Sequence, residues 1–173
     1  MSLGYEIDIE GLDEQVTLLE AYDSNVDHYL EIAMLKSVNA IENNIKPFAP
    51  VDRGRLRSSI TTEVSNMITL SQIVGRVGPS LKAEVYPQVM EFGREPGHFP
   101  PLEPIQAWVK RVIRPPEKEL RSVAFLVARK IYRSGIKGRE YLKQGYEKSI
   151  DDVKRYFVDA LEEIAKGLSN GRL

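Results

Sequence analysis

"APVDRGRLRSSI", residues 49–60, is where the chain changes period. Before it, apolar residues recur at helical spacing: Val26, Leu30, Met34, Val38, Ile41 and Ile45. Pro47 and Pro50 stop that helix, because proline lacks the backbone donor and biases its predecessor away from the helical region. Afterwards Leu56, Ser58, Ile60, Thr62 and Val64 alternate with Arg57, Ser59, Thr61 and Glu63, the pattern of a strand with one half-apolar face. Between the two, Asp52 can accept backbone amides in an Asx-type turn, and Gly54 supplies a permissive backbone. Pairing of Asp52 with Arg53 or Arg55 on the surface would contribute only about 0–1 kcal/mol. The stretch is a hinge between helix and strand rather than a site for chemistry.

Working outward, Tyr5, Ile7 and Ile9 alternate with Glu6, Asp8 and Glu10, which predicts a short strand ended by Gly11. Leu12, Val16 and Leu19 begin the helical spacing, and Asp23 with Ser24 can restart it, so the segment is one bent helix or two. Downstream, a second strand is expected over about Ile68 to Val77 after a turn near Asn66, then a turn at Gly78-Pro79-Ser80. A third is expected over Ala83 to Phe92, with Pro87 assigning it to an edge or a bulge. "GREPGHFPPLEP" (93–104) has the composition of a loop.

Ile105, Trp108, Val109 and Val112 then predict a short amphipathic helix with Pro104 in its first turn, broken by Pro115-Pro116. Leu120, Val123, Ala124, Val127 and Ile131 predict another, ended near Gly135. Phe125 and Leu126 fall off that stripe, so the helix is apolar on more than one side. Its second face either packs on Trp108 or is covered in an oligomer. "SGIKGREYL" (134–142) is expected as a loop. Ser149 and Asp152 have the spacing of a capping box, opening a helix that buries Ile150, Val153, Phe157, Leu161, Ile164 and Leu168 and closes at Gly167. Strands flanked by helices without βαβ alternation indicate α+β.

A length of 173 residues suits one domain, or one with a large insertion. With no cysteine, disulfides, thiolate metal sites and cysteine nucleophiles are excluded. No run approaches the roughly 18 apolar residues of a membrane-spanning helix, and Met1 to Glu10 lack the pattern of a signal peptide. A soluble product made in the cytoplasm is the expectation. Positive and negative residues nearly balance, 24 against 25, but not evenly. Ten acidic residues between Glu6 and Glu42 face only Lys36 and Lys46, whereas residues 108–148 carry twelve cations. Such asymmetry suits head-to-tail self-association or an anionic partner, and two solvated faces of opposite sign are the plain alternative.

Signatures of catalysis are absent: no glycine-rich phosphate loop, no G-x-S-x-G elbow, no H-E-x-x-H pair. His28 and Glu31 stand at i,i+3 on a helix, yet two ligands are too few for a metal. His98, near Glu91, Arg94 and Glu95, has the chemistry of an acid–base group but no partner nucleophile, and fits a loop histidine bonding a backbone carbonyl. Ser58 and Ser59 have no base. No catalytic residue, cofactor or metal is therefore expected, and the chain is not expected to be an enzyme. The basic segment 108–148 offers phosphate attraction, with thin aromatic interleaving (Tyr132, Tyr141, Tyr146) and no reader motif. A nucleic-acid-binding accessory protein is the alternative function.

Two separated motifs carry a resemblance. "APVDRGRLRSSI" (49–60), followed by "VMEFGREPGHFPP" (89–101), resembles the tail-component family of tailed bacteriophages, which includes neck, head–tail joining and tail-completion proteins. Ala49, Pro50, Val51, Asp52, Gly54, Leu56, Ser59 and Ile60 match its first block, and Glu91, Phe92 and Gly93 its second. Pro96, Gly97, Pro100, Pro101, Trp108, Gly135, Gly138, Arg139, Tyr141 and Leu142 fit an extended version. Arg53 stands where threonine is usual, and Glu140 where proline is frequent. The resemblance implies a small, mostly antiparallel sheet packed against a long helix, here with an inserted helical pair at about 94–134 and a C-terminal helix, in a single domain over 1–173. It also implies a structural virion subunit at the head–tail junction or head-proximal tail end, made in the bacterial host cytoplasm. Such a subunit would form a homo-oligomeric ring, a hexamer by that likeness, meeting other neck and tail proteins and, non-specifically, DNA in transit, with no membrane. On that reading Pro50, Asp52, Gly54, Leu56, Glu91, Phe92 and Gly93 are family motif and structural-turn positions. Arg121, Arg129, Lys130, Arg133, Lys137 and Arg139 are the residues for contact with a neighbouring subunit or DNA.

Overall fold

The computed structural model describes residues 4–7, 26–67, 72–80 and 86–169. The expected helix from Leu12 to Leu19, its restart at Asp23 and Ser24, Ile9 and Gly11 of the first strand, and the start of the third strand at Ala83 lie outside these residues. The fold class is α+β. The chain divides into two compact units, one comprising Met1–Pro87 and Glu140–Leu173, the other Gln88–Arg139.

In the first unit, α1 (Val26–Ile45) carries the long apolar stripe expected of it, with Val26, Leu30, Ala33, Met34, Val38, Ile41 and Ile45 all buried. Its C-terminus unwinds at the prolines, where the amides of Phe48 and Ala49 both donate to the Ile45 carbonyl. A three-stranded antiparallel sheet in the order β1 (Tyr5–Ile7), β3 (Gln72–Pro79), β2 (Ile60–Met67) lies on this helix. Val64 pairs with Gly75 and Thr62 with Val77, so the expected alternation holds from Ile60 onward. Gly75 is the point of closest approach: a Cβ there would sit 2.6 Å from Met34 Sδ and 2.6 Å from Val38 Cγ1. β2 runs past the expected turn, with Asn66 paired to Ile73, and β3 extends through Gly78 to Pro79.

α6 (Tyr141–Ser169) is the other half of this core and runs antiparallel to α1: Gly145 meets Ile45 at one end, while Val26 and Leu30 cluster with Ile164 at the other. A Cβ on Gly145 would lie 2.5 Å from Ile45 Cα and 2.7 Å from its nitrogen, so the helices cross backbone to backbone there. Ser149, expected as a cap, is instead buried in mid-helix. Its Oγ donates to the Gly145 carbonyl at 2.8 Å and accepts from Asn44 Nδ2 at 3.0 Å. The helix begins eight residues earlier than its expected cap and passes Gly167 instead of closing there. β1 is pinned to α6 by stacking of Tyr5 on Tyr146, with ring centroids 4.4 Å apart.

Two further expectations are corrected. Residues Arg55–Ser59 form a single helical turn, α2, instead of the start of a strand. Tyr86–Phe92 form a helix, α3, where a strand was expected. Pro87 sits in its first turn, a position where the missing amide costs nothing.

In the second unit, β4 (Gly93–Arg94) pairs with β5 (Ile136–Lys137), giving two loops expected to be irregular a short ladder. Between them rise the expected helices, α4 (Leu102–Val112) and α5 (Leu120–Ser134), packed on each other. Their joint is drawn tight by Arg114, whose positive φ of 54° ends α4, and by the two prolines after it. Its fully buried side chains are small or short: Val109, Ala124 and Ala128.

Candidate assembly surface

The hinge motif occupies the corner between α1 and β2. Gly54 adopts φ 76°, ψ −7°, and its carbonyl accepts the Ser58 amide at 2.9 Å, closing the turn of α2. Leu56 is buried and seats that turn on the core, while Ser59 Oγ donates to the Leu56 carbonyl at 2.8 Å. Asp52, Arg53, Arg55 and Arg57 point to solvent, and Pro50 is half-buried. The pattern fixes backbone direction, not a reaction.

The second block has a different task. Gly93 (φ 83°) and Gly138 lie where β4 and β5 meet. A Cβ on Gly138 would stand 2.5 Å from the Glu91 carbonyl oxygen and 2.6 Å from the Phe92 carbonyl carbon. A Cβ on Gly93 would collide with the Ile136 carbonyl, and one on Gly135 with the Arg94 carbonyl. The Arg139 amide donates to the Met90 carbonyl at 2.7 Å. Residues 90–94 and 135–139, far apart in sequence, therefore form one glycine-lined clasp at the base of the helical pair. Glu91 is buried, Phe92 projects with 75% of its surface exposed, and Lys137 and Arg139 are exposed. His98 is exposed as well, its carbonyl accepting Arg94 Nη2 at 3.4 Å. His28 is exposed on α1, and no group of three or more potential metal ligands occurs among the described residues.

The helical pair carries an unusual outer face. Phe99 reaches from the loop to Phe125 and Tyr132 of α5, with centroids at 5.8 and 6.2 Å, and the Gly97 amide holds that loop by donating to the Tyr132 carbonyl at 2.8 Å. These rings and Leu126 remain 44–59% exposed. The second apolar face anticipated from Phe125 and Leu126 is thus real, and its aromatic neighbour is Phe99. Phe99 was legible only as a loop residue, because nothing in local spacing links it to α5. Arg121, Arg129, Lys130 and Arg133 are exposed on the same helix, which contains no acidic residue. At one to two turns' spacing they rim the apolar centre, the composition of a protein contact more than of a wet helix.

α6 exposes a second, oppositely charged patch. Val158 and Leu161 are exposed at 53% and 42%, with Asp159, Glu162 and Glu163 beside them. Lys166 bonds Glu163 at 2.8 Å. Its pKa is raised, first by the hydrogen bond and charge of Glu163 and further by the charges of Glu162 and Asp159, which reports a locally negative surface. No helix among the described residues is long and apolar enough to cross a membrane. No protein-family model, curated protein or solved structure matches the chain.

Proposed function

We propose that this chain is a structural subunit of a tailed-phage particle, working by ring assembly at the head–tail junction or the head-proximal end of the tail. The observation that carries assembly is the patch of Phe99, Phe125, Leu126 and Tyr132, an apolar surface rimmed by cations and left open. What supports the phage setting is the order and spacing of the motif blocks at 49–60, 89–101 and 135–142. The matched residues sit where a backbone demands them: Gly54 at positive φ, Gly93 and Gly138 at close approaches. That favours a shared architecture over a shared chemistry, and on this reading the protein catalyses nothing. Its partners are copies of itself, adjoining neck and tail proteins, and DNA passing through the ring. Negative-stain imaging of the purified chain tests the reading: closed rings are expected, and a monomer at every concentration would refute it.

A second reading, a nucleic-acid-binding accessory protein, is favoured by one observation, the four α5 cations with no acidic residue on their helix. A salt-sensitive shift of duplex DNA without self-assembly would select it.

A further inference from the structure

We infer that the outer face of α5 docks on the outer face of α6 of a second copy of this chain, giving a head-to-tail contact. The inference rests on the proposed assembly role and identifies the surfaces that perform it. Each face has an apolar centre of exposed side chains: Phe125 and Leu126 on α5, Val158 and Leu161 on α6. Their rims are opposite in sign, Arg121, Arg129 and Arg133 against Asp159 and Glu162. The cations at the margin of the α6 patch, Arg155 and Lys166, are already bonded to Asp152 and Glu163. Lys154 stands one turn before Val158 and bounds the acidic stretch.

The charges also decide the symmetry. An α5 face against its own copy would set arginines against arginines, and the α6 patch against itself would set carboxylates against carboxylates. Like charges opposed across an interface cost several kcal/mol. Only the unlike pairing is electrostatically allowed, and a contact between two different patches is heterologous. Repeated, it closes into a ring or extends into a filament, and it cannot stop at a symmetric dimer.

The absence of cysteine makes a clean test available. Leu126→Cys and Leu161→Cys, combined in one chain, should give a ladder of disulfide-linked species on mild oxidation. A mixture of the two single variants should give one dimer band and nothing larger. Adding Arg129→Glu and Arg133→Glu to the double-cysteine chain should reduce cross-linking by at least about tenfold, and Asp159→Lys with Glu162→Lys should restore it. Efficient dimers from Leu126→Cys alone would overturn the inference, as would a ladder indifferent to charge reversal. Rings without this cross-link would sink the interface and leave the assembly role standing, whereas neither rings nor cross-links would sink both. If charge reversal abolished only a salt-sensitive DNA shift, the α5 face would belong to nucleic acid.

Discussion

Replacing Gly145 by alanine separates two opposed effects. By helix propensity alone, Gly→Ala in the interior of a 29-residue helix should stabilise by about 1 kcal/mol. The crossing reverses that sign. The new methyl carbon would stand 2.5 Å from Ile45 Cα, where non-bonded carbons need about 3.5–4.0 Å. Both obstructing groups are backbone, so no rotamer relieves the overlap and α1 and α6 must part by about 1 Å. Overpacking of this kind costs about 1–3 kcal/mol. Parting also stretches the 3.0 Å bond from Asn44 to Ser149 out of range, a loss of about 0.5–1.5 kcal/mol. Less the propensity gain, the net is a destabilisation of about 0.5–3.5 kcal/mol, centred near 2. At about 2–4 °C per kcal/mol, the melting temperature should fall by about 4–8 °C. Urea titration and thermal melting followed by far-ultraviolet circular dichroism read both quantities. A variant more stable than the parent would refute the backbone-to-backbone crossing.

Ser149→Ala, which removes the same junction's hydroxyl, should cost about 0.5–1.5 kcal/mol in the same titration. Gly54→Ala meets no neighbour but must hold φ 76°, so a loss of about 1–2 kcal/mol is expected, with Gly54→Asn milder. Leu56→Ala should cost about 2–5 kcal/mol, because the side chain is 2% exposed and anchors α2. Gly138→Ala should open the clasp, seen as faster hydrogen exchange of the Arg139 amide and earlier proteolysis at residues 95–101, with the melting of α1 and α6 less affected.

The parts of the fold visible in the sequence were those where one period runs long enough to be unmistakable. α1 announced itself through six apolar residues in register, α4 and α5 through short stripes bounded by prolines and Gly135. Short segments were less readable because two patterns coincide in them. Leu56 and Ile60 fit a strand at i,i+4 as well as a helical turn, and hydrogen bonds from Ser58 and Ser59 choose the turn. In α3, Pro87 argued against a central strand but equally fits a first helical turn. Gly145 looked like a break because the reason for a glycine in mid-helix is Ile45, a hundred residues away. The candidate surface divided likewise. Phe125 and Leu126 betrayed a second face by helical spacing, whereas Phe99 joins them through tertiary contact alone.

The central claim is that this chain works by assembling with itself. Its most direct test is the mass of the untagged protein in solution, measured by mass photometry across a dilution series at moderate salt. A discrete closed oligomer, an integral multiple of the monomer that dissociates as salt rises, is the predicted result. A monomer throughout, unchanged by concentration or ionic strength, would contradict it.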